Sequence, residues 1–483
     1  MTPPPPQCIE RSAAVGGLWQ FRPEEAYGVM SFTHINVSKY NYAFSDFPFL
    51  VDNDFPHHAQ MAAYIKAYVK RFRLTNSIRL NTAVKRVHKP DGSSRWVIET
   101  EANGDVLEAN LTFTAANVAV ASGHHAAPHV PTLPGQNQFQ APIMHSSAFK
   151  DAATSGLAGG KRVVVVGIGN SAVDIAENLA ASGSQVFLST RSGAWIVPNY
   201  VFGLPTDLLA CRAFLWLPWW FATIVFEAII AMLVGPPKRW GLFPKYRALQ
   251  AQPTVSATLI HRIQRGQVTV VPNVHGMVGT RVEFTSGEHV ENVDAVVLAT
   301  GFDIGLPFLA ANLQGAVVNQ ASNRINLYKS VFSPTIGASM AFIGFAQPAS
   351  GGLLTISEMQ ARWFAEVAAG RRSLPSPAAM EKTIRREEFA SMARYSDGSR
   401  RHTIQKDPIV YNDDIAGLIG AKPTVWRQPS LAFRLLFSSC GAAQYRLQGP
   451  NAWSGARKEV LRTPMAPLWA VTGRVLITLC VGW

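Results

Sequence analysis

Acidic residues are scarce in this 483-residue chain. It holds 31 Asp and Glu against 44 Lys and Arg, a formal net charge of +13. That imbalance suits anionic lipid or phosphate-bearing ligands, and equally an ordinary basic enzyme. It does not point to nucleic acid, because the basic residues are scattered and no reader motif accompanies them. Cysteine is scarce too. Cys8, Cys211, Cys440 and Cys480 lie far apart without any C-x-x-C. Zinc, dithiol and disulfide frameworks therefore have no support. No basic-then-apolar leader opens the chain, and "MTPPPP" has the composition of an extended tail. No side-chain nucleophile triad or His/Cys metal cluster stands out. Only 16% of residues are charged and 48% are hydrophobic, so large cores can be buried. The length suits two or three domains, or two nested ones.

What is present is clearest mid-chain, in "KRVVVVGIGNSAVDIAENLAASGSQVFLSTR". Val163 to Val166 read as a strand buried on both faces. Gly167-Ile168-Gly169-Asn170-Ser171-Ala172 follows, a G-x-G-x-x-A turn. Gly167 permits the tight bend, Gly169 lets backbone approach a pyrophosphate, and Ala172 allows close helix–strand packing. The helix from Ala172 to Ala181 would present its N-terminus to the phosphate. A second strand, Gln185 to Ser189, ends at Thr190-Arg191, where an NAD site would carry an acid. A guanidinium there favours the 2′-phosphate of NADPH. A further buried strand, Ala295 to Leu298, ends at Ala299-Thr300-Gly301, much as an earlier one ends at Ala121-Ser122-Gly123. Two such small-residue endings flanking a βαβ unit suggest one nucleotide domain inserted within another.

A second acid-ended strand lies at the start, in "CIERSAAVGGLW". Glu10 reads as the ribose-binding acid of another dinucleotide unit. Its glycine loop should stand about 20 residues earlier, yet only nine residues precede it. Prolines lack the N–H groups that cradle phosphate. The expectation is a first βα unit that is absent, and weak FAD retention by the chain as written. Ala213 to Val234, "AFLWLPWWFATIVFEAIIAMLV", is 22 residues with one charge, Glu227. Its length permits a membrane span, but Glu227, Pro218 and the interface-loving Trp216, Trp219 and Trp220 favour lying in the membrane plane.

"ERSAAVGGLW", "SDFPF", "GIGNSAVDIA", "ATGF", "EMQARW", "RHTIQ" and "YRLQGPNAWSGAR" occur in an order that resembles the flavin-containing monooxygenases of the eukaryotic, microsomal, N-oxide-forming type. The likeness runs from Cys8 to Leu461. It implies an α/β fold with two nested Rossmann-like domains, for FAD and NADPH, of the three-layer ββα type, with an inserted apolar membrane-facing segment. The implied divisions are 1–150 and 299–460 for FAD, 151–298 for NADPH with an insertion at 208–250, and an apolar tail at 461–483. The implied activity is NADPH- and FAD-dependent oxygenation of amines or sulfides by O₂ through a C4a-hydroperoxyflavin, at the endoplasmic reticulum membrane. Heteroatom oxygenation is favoured over ketone insertion, because "FQAPIMHSSAF" continues with Phe149-Lys150 where the Baeyer–Villiger signature has Trp-Pro. Ala141 replaces a glycine of that signature.

By resemblance, Asn36 is the catalytic-site amide. Glu10, Gly16, Gly17, Leu18, Trp19, Gln60, Glu358 and Gln360 contact cofactor on the flavin side, with Thr300 and Gly301 at a strand ending. Gly167, Gly169, Asn170, Ser171, Ala172, Thr190 and Arg191 do so on the NADPH side. Arg362 has a flavin-side or a salt-bridge role. Two alternatives stay open: a silent NADP-binding homologue without FAD, and an uncoupled NADPH oxidase. Association into a homo-oligomer stays open as well.

Overall fold

A computed structural model describes residues 6–102, 110–395, 400 and 402–465. The flavin-side half begins with β1 (Cys8–Ile9), α1 (Lys39–Tyr42), α2 (His58–Arg71) and β2 (Ile78–Arg79). It continues through β3 (Thr82–His88), β4 (Trp96–Ala102), β5 (Thr112–Ala115) and β6 (Val118–Val120). Strands β3 to β5 make an antiparallel sheet. Val87, Trp96 and Ile98 face its core alongside Val120 and Phe342. β1 runs parallel to β2, with Cys8 opposite Ile78.

The second unit is built on β7 (Ile143–His145), β8 (Arg162–Val166), α3 (Asn170–Ala181) and β9 (Gln185–Ser189). A hairpin, β10 (Tyr200–Val201) and β11 (Leu204–Pro205), leads to α4 (Trp219–Val234). Then come β12 (Val268–Val271), β13 (Val274–Val278), β14 (Arg281–Phe284), β15 (His289–Val290) and β16 (Ala295–Leu298). The main sheet is parallel in the order β12-β9-β8-β16-β7. Val163, Val164 and Val165 are fully buried at its centre, as a strand covered on both faces requires. Ala172, Ile175, Ala176 and Leu179 are fully buried as well. Their spacing is the apolar stripe that seats α3 on the sheet. The sheet takes in Ile143–His145, which lies ahead of the division expected at residue 151.

The chain returns to the flavin side through β17 (Met340–Phe342), parallel to β6. Helices α5 (Leu353–Ala368) and α6 (Pro408–Ile419) follow, packed through Ile356, Met359, Trp363, Ile415 and Ile419. A short helix, α7 (Ala432–Phe437), comes later. Among the described residues the β1–β2 and β6–β17 pairs stand as separate two-stranded sheets. The last helix among the described residues, Ala456–Arg462, runs across the division expected at 460, and the expected apolar tail from 466 onward lies outside those residues.

The apolar stretch 213–234 does not form one long helix. Pro218, with no N–H to donate, separates a 3₁₀ turn at Ala213–Trp216 from the 16-residue α4. Such a helix spans about 24 Å, short of a hydrocarbon core of about 30 Å. No helix among the described residues is long and apolar enough to cross a membrane.

Candidate functional site

The β8–α3 turn fits a dinucleotide. Gly167 has φ +132°, and a Cβ there would lie 2.4 Å from the carbonyl oxygen of Ala299. Only glycine meets both conditions. Gly169 caps α3 with extended backbone, and Ser171 is exposed in the first helical turn. The first turn of α3 leaves amides without intrahelical partners, the groups a pyrophosphate would take. Asn170 also serves the fold, since its Oδ1 accepts from the Val255 amide at 2.8 Å. Thr190 Oγ1 accepts from the Gly193 amide at 3.0 Å and so closes the turn that leaves Arg191 exposed. An exposed guanidinium beside the second strand suits a 2′-phosphate.

On the flavin side, Glu10 ends β1 with Oε1 accepting from the Ser12 amide at 2.8 Å. Gly16 and Gly17 both have positive φ, and the space in front of Gly17 is open. Leu18 and Trp19 continue this turn, with Trp19 set edge-on against Tyr42 at 5.8 Å. Gly301 has φ +86° with open space before it as well. These openings and the strand-end acid fit a nucleotide approaching across the strand ends. Thr300 turns its hydroxyl to the His129 carbonyl.

His145 joins the two units. Its Nδ1 accepts from the Ser147 amide at 3.1 Å, so Nε2 carries the proton and donates to Gly301 O at 3.0 Å. Burial lowers the pKa of the ring, which keeps it neutral for this role. Ala141 is not among the residues with positive φ, so replacing the signature glycine costs nothing in backbone geometry.

Three expected cofactor contacts, and Arg362 with them, also have partners within the fold. Gln60 Oε1 accepts from the His57 amide at 2.9 Å and from Asn53, which caps α2. Gln360 is fully buried, bonded to the Gly344 amide at 2.7 Å and to the Tyr411 hydroxyl at 2.8 Å. Glu358 accepts from the Ser45 amide at 2.8 Å and from Arg446 at 2.8 Å. Arg362 donates to the carbonyls of Tyr445 and Pro450, each at 3.0 Å. Glu358, Gln360 and Arg362 thereby tie α5 to the loops around it.

Asn36 lies half-buried in a bend just ahead of α1. The segment after it is held by Asp207, at the base of the β10–β11 hairpin. Asp207 accepts from the Ser38 amide at 3.1 Å, the Ser38 hydroxyl at 2.7 Å and Asn41 Nδ2 at 2.7 Å. Burial raises the Asp207 pKa, while these bonds oppose the rise.

Beside this site lies an apolar face. Trp216 and Trp220 are 67% and 62% exposed, and Met232, Leu233 and Phe243 are exposed with them. Phe433 and Phe437 of α7 extend the face, the Phe437 ring lying 6.5 Å from Trp216. Glu227 does not share it. Its carboxylate is turned toward Arg247, at 2.8 Å from Nε, and the Ala248 amide, at 2.9 Å.

Two nested Rossmann-like units define a protein of the two-nucleotide α/β class. The family model for flavin-binding monooxygenase-like proteins matches residues 4–478. Flavin-containing monooxygenase 5 of Cavia porcellus is 37% identical, over 95% of this chain and 87% of its own length. The N-oxide-forming dimethylaniline monooxygenase 2 of Rattus norvegicus is 34% identical, over 98% and 90%. The solved S-allyl-L-cysteine S-oxygenase of Allium sativum shares the fold with TM-score 0.64 at 20% identity, over 94% of this chain and 93% of its own. The chain belongs to the flavin-binding monooxygenase-like family. It is an oxidoreductase using FAD, NADPH and O₂.

Sequence reading missed Asp207 and gave Arg446 no role. Each had a signal. Asp207 is a lone acid in the apolar run from Ile196 to Leu209, and a buried acid needs donors. Arg446 lies inside the family-like "YRLQGP" segment.

Proposed function

We propose that this protein oxygenates soft nucleophiles, amines or sulfides, at a membrane surface, with NADPH bound at the α3 N-terminus and Asn36 beside the reacting centre. The observation that carries the reading is the Gly167 turn with exposed Arg191 at the neighbouring strand end. When bound, FAD supplies the oxygen-activating chemistry. The protein's share is positioning. The α3 amides and Arg191 hold the NADPH phosphates, Glu10 takes the FAD ribose, and the Asn36 amide offers a donor and an acceptor to the bound cofactors. Neutral His145 ties the two units. The test is oxygenated product from a thioether against peroxide released, per NADPH consumed. In the same assay Arg191→Ala should raise the NADPH KM about tenfold or more, as expected for losing a charge-assisted phosphate contact. The NADH KM should move little. Equal changes with both cofactors would remove Arg191 from the 2′-phosphate site.

The apolar face supports in-plane contact with the endoplasmic reticulum membrane. Trp216, Trp220 and Phe437 form one rim of it, with exposed Lys238, Arg239 and Lys245 alongside. Aromatic rings with neighbouring cations suit an anionic lipid interface. The triple variant Trp216→Ser, Trp220→Ser, Phe437→Ser should lower binding to anionic vesicles about tenfold or more, since that much affinity corresponds to only about 1.4 kcal/mol. Its thermal midpoint should hold, because the replaced rings are exposed. Unchanged vesicle binding would move the contact elsewhere in the chain.

A further inference from the structure

The β10–β11 hairpin belongs to the NADPH-binding unit, yet it lies against the Asn36 segment. Its two-residue turn places both Phe202 (φ +54°) and Gly203 (φ +80°) in the left-handed region, the geometry of a tight, strongly twisted hairpin. A bulky residue rarely adopts that conformation, so the hairpin's shape is held by its surroundings. Tyr200 on its first strand reaches Asp54 at 3.2 Å and packs edge-on against Phe55 at 5.3 Å. Asp54 in turn accepts from the Lys39 amide through its carbonyl at 2.8 Å. Immediately after the hairpin, Asp207 takes three hydrogen bonds from Ser38 and Asn41. Asn41 is fixed from the other side, because its Oδ1 accepts from Ser439 at 2.8 Å.

We propose that Asp207 is a positioning residue for Asn36, through which the NADPH-binding unit sets the place of the Asn36 loop and so couples NADPH oxidation to oxygen transfer. The proposal rests on the reading of Asn36 given above. Its physical basis is the number and direction of the bonds. Ser38 lies two residues from Asn36, and both its amide and its hydroxyl point at one carboxylate. Asp207 itself does not touch the reacting atoms. A carboxylate accepts at both oxygens, whereas an amide accepts at one and donates at the other. Asp207→Asn therefore keeps the shape, but whichever way its amide turns its NH₂ meets a donor: the Ser38 amide at the Oδ1 position or the NH₂ of Asn41 at the Oδ2 position.

The experiment uses the full chain carrying Asp207→Asn, with Asn36→Ala and the double variant beside it, and reads two quantities. The first is hydrogen exchange over residues 36–42, with and without NADP⁺, which needs no turnover. The second is peroxide released per NADPH. For Asp207→Asn, exchange over residues 38–41 should quicken at least about tenfold, as loss of a held hydrogen bond implies. Peroxide should rise severalfold while NADPH affinity and the thermal midpoint stay near wild type, a pattern that general unfolding would not give. The double variant should leak no more than Asn36→Ala alone. Asp207→Glu, which keeps both acceptor oxygens, should recover part of the coupling. Unchanged exchange overturns the proposal, and so does faster exchange with wild-type coupling while Asn36→Ala leaks. Wild-type coupling in Asn36→Ala itself would instead overturn the reading of Asn36, and Asp207 would fall with it as a coupling residue.

Discussion

Replacing Gly167 with alanine is expected to abolish useful NADPH binding and to lower the stability of the second unit. Two separate costs meet at this position. The residue sits at φ +132°, where an L side chain is strained by about 1–3 kcal/mol. The added Cβ would also lie 2.4 Å from Ala299 O. That neighbour is backbone, at the end of β16, an interior strand of a five-stranded sheet, so it cannot rotate away. Relief must come from moving the β8–α3 turn, and the α3 amides move with it. A loss of about 2–3 kcal/mol in cofactor affinity is a factor of roughly 30 to 150. Gly266→Ala is the control. Gly266, in the same unit, also has positive φ, +69°, but open space before it, so it should show the strain without the collision. NADPH titration and a thermal melt of both variants check this. A Gly167→Ala protein with wild-type affinity and melting would show that the turn is not what holds the phosphate.

The same turn shows how far sequence alone could reach. Four valines, a glycine pair and a helix stripe are local features, and each has a local physical cause. The parallel strand, the tight turn and the buried face of α3 all appear where the spacing put them. Arg191 lies exposed at the strand end, at the fixed offset from the motif that its sequence position gives. Glu358, Gln360 and Gln60 show what motif position leaves out. Motif position marked them as near the cofactors, but position along the chain does not reveal what a side chain meets across the fold. Gln360 meets Gly344 and Tyr411, 16 and 51 residues away. The apolar run 213–234 shows a different limit. Composition gave its length and its aromatic rim, but Glu227 needed Arg247, twenty residues on, to explain how an acid is tolerated there. Long-range partners of polar groups are the part that periodicity cannot supply.

Such partners are concentrated at Arg446, and its removal should give the largest loss of stability. The guanidinium donates to Ser45 Oγ at 2.6 Å, Asn451 O at 2.9 Å and Glu358 Oε1 at 2.8 Å, and lies 3.0 Å from Asp46 Oδ2. Side-chain exposure is only 9% for Arg446, 10% for Glu358 and 17% for Asp46. Arg446→Met would keep the stem and leave two carboxylates largely out of water without their cation. Breaking a buried pair in this way costs about 3–5 kcal/mol. Arg362 cannot take over, because its fork is already committed to the carbonyls of Tyr445 and Pro450. Burial, with repulsion from Arg446, pulls its pKa down to about 10, so it still carries charge near neutral pH. Denaturant unfolding is the measurement, with Arg446→Met, Glu358→Gln and the double variant compared. Glu358→Gln removes one orphaned charge while an amide oxygen can still accept from Ser45. The double variant should therefore lose less than the two singles together, by about 0.5–3 kcal/mol, the range for residues in direct contact. Arg446→Lys should restore only part, since a single ammonium cannot span Ser45, Glu358, Asp46 and Asn451 at once. The consequence reaches the site through the chain itself. Ser45 and Asp46 follow α1 directly, and α1 follows Asn36, so loosening the Arg446 cluster frees one end of the segment that Asp207 holds at the other. An Arg446→Met protein within about 1 kcal/mol of wild type would show instead that water reaches these charges and screens them.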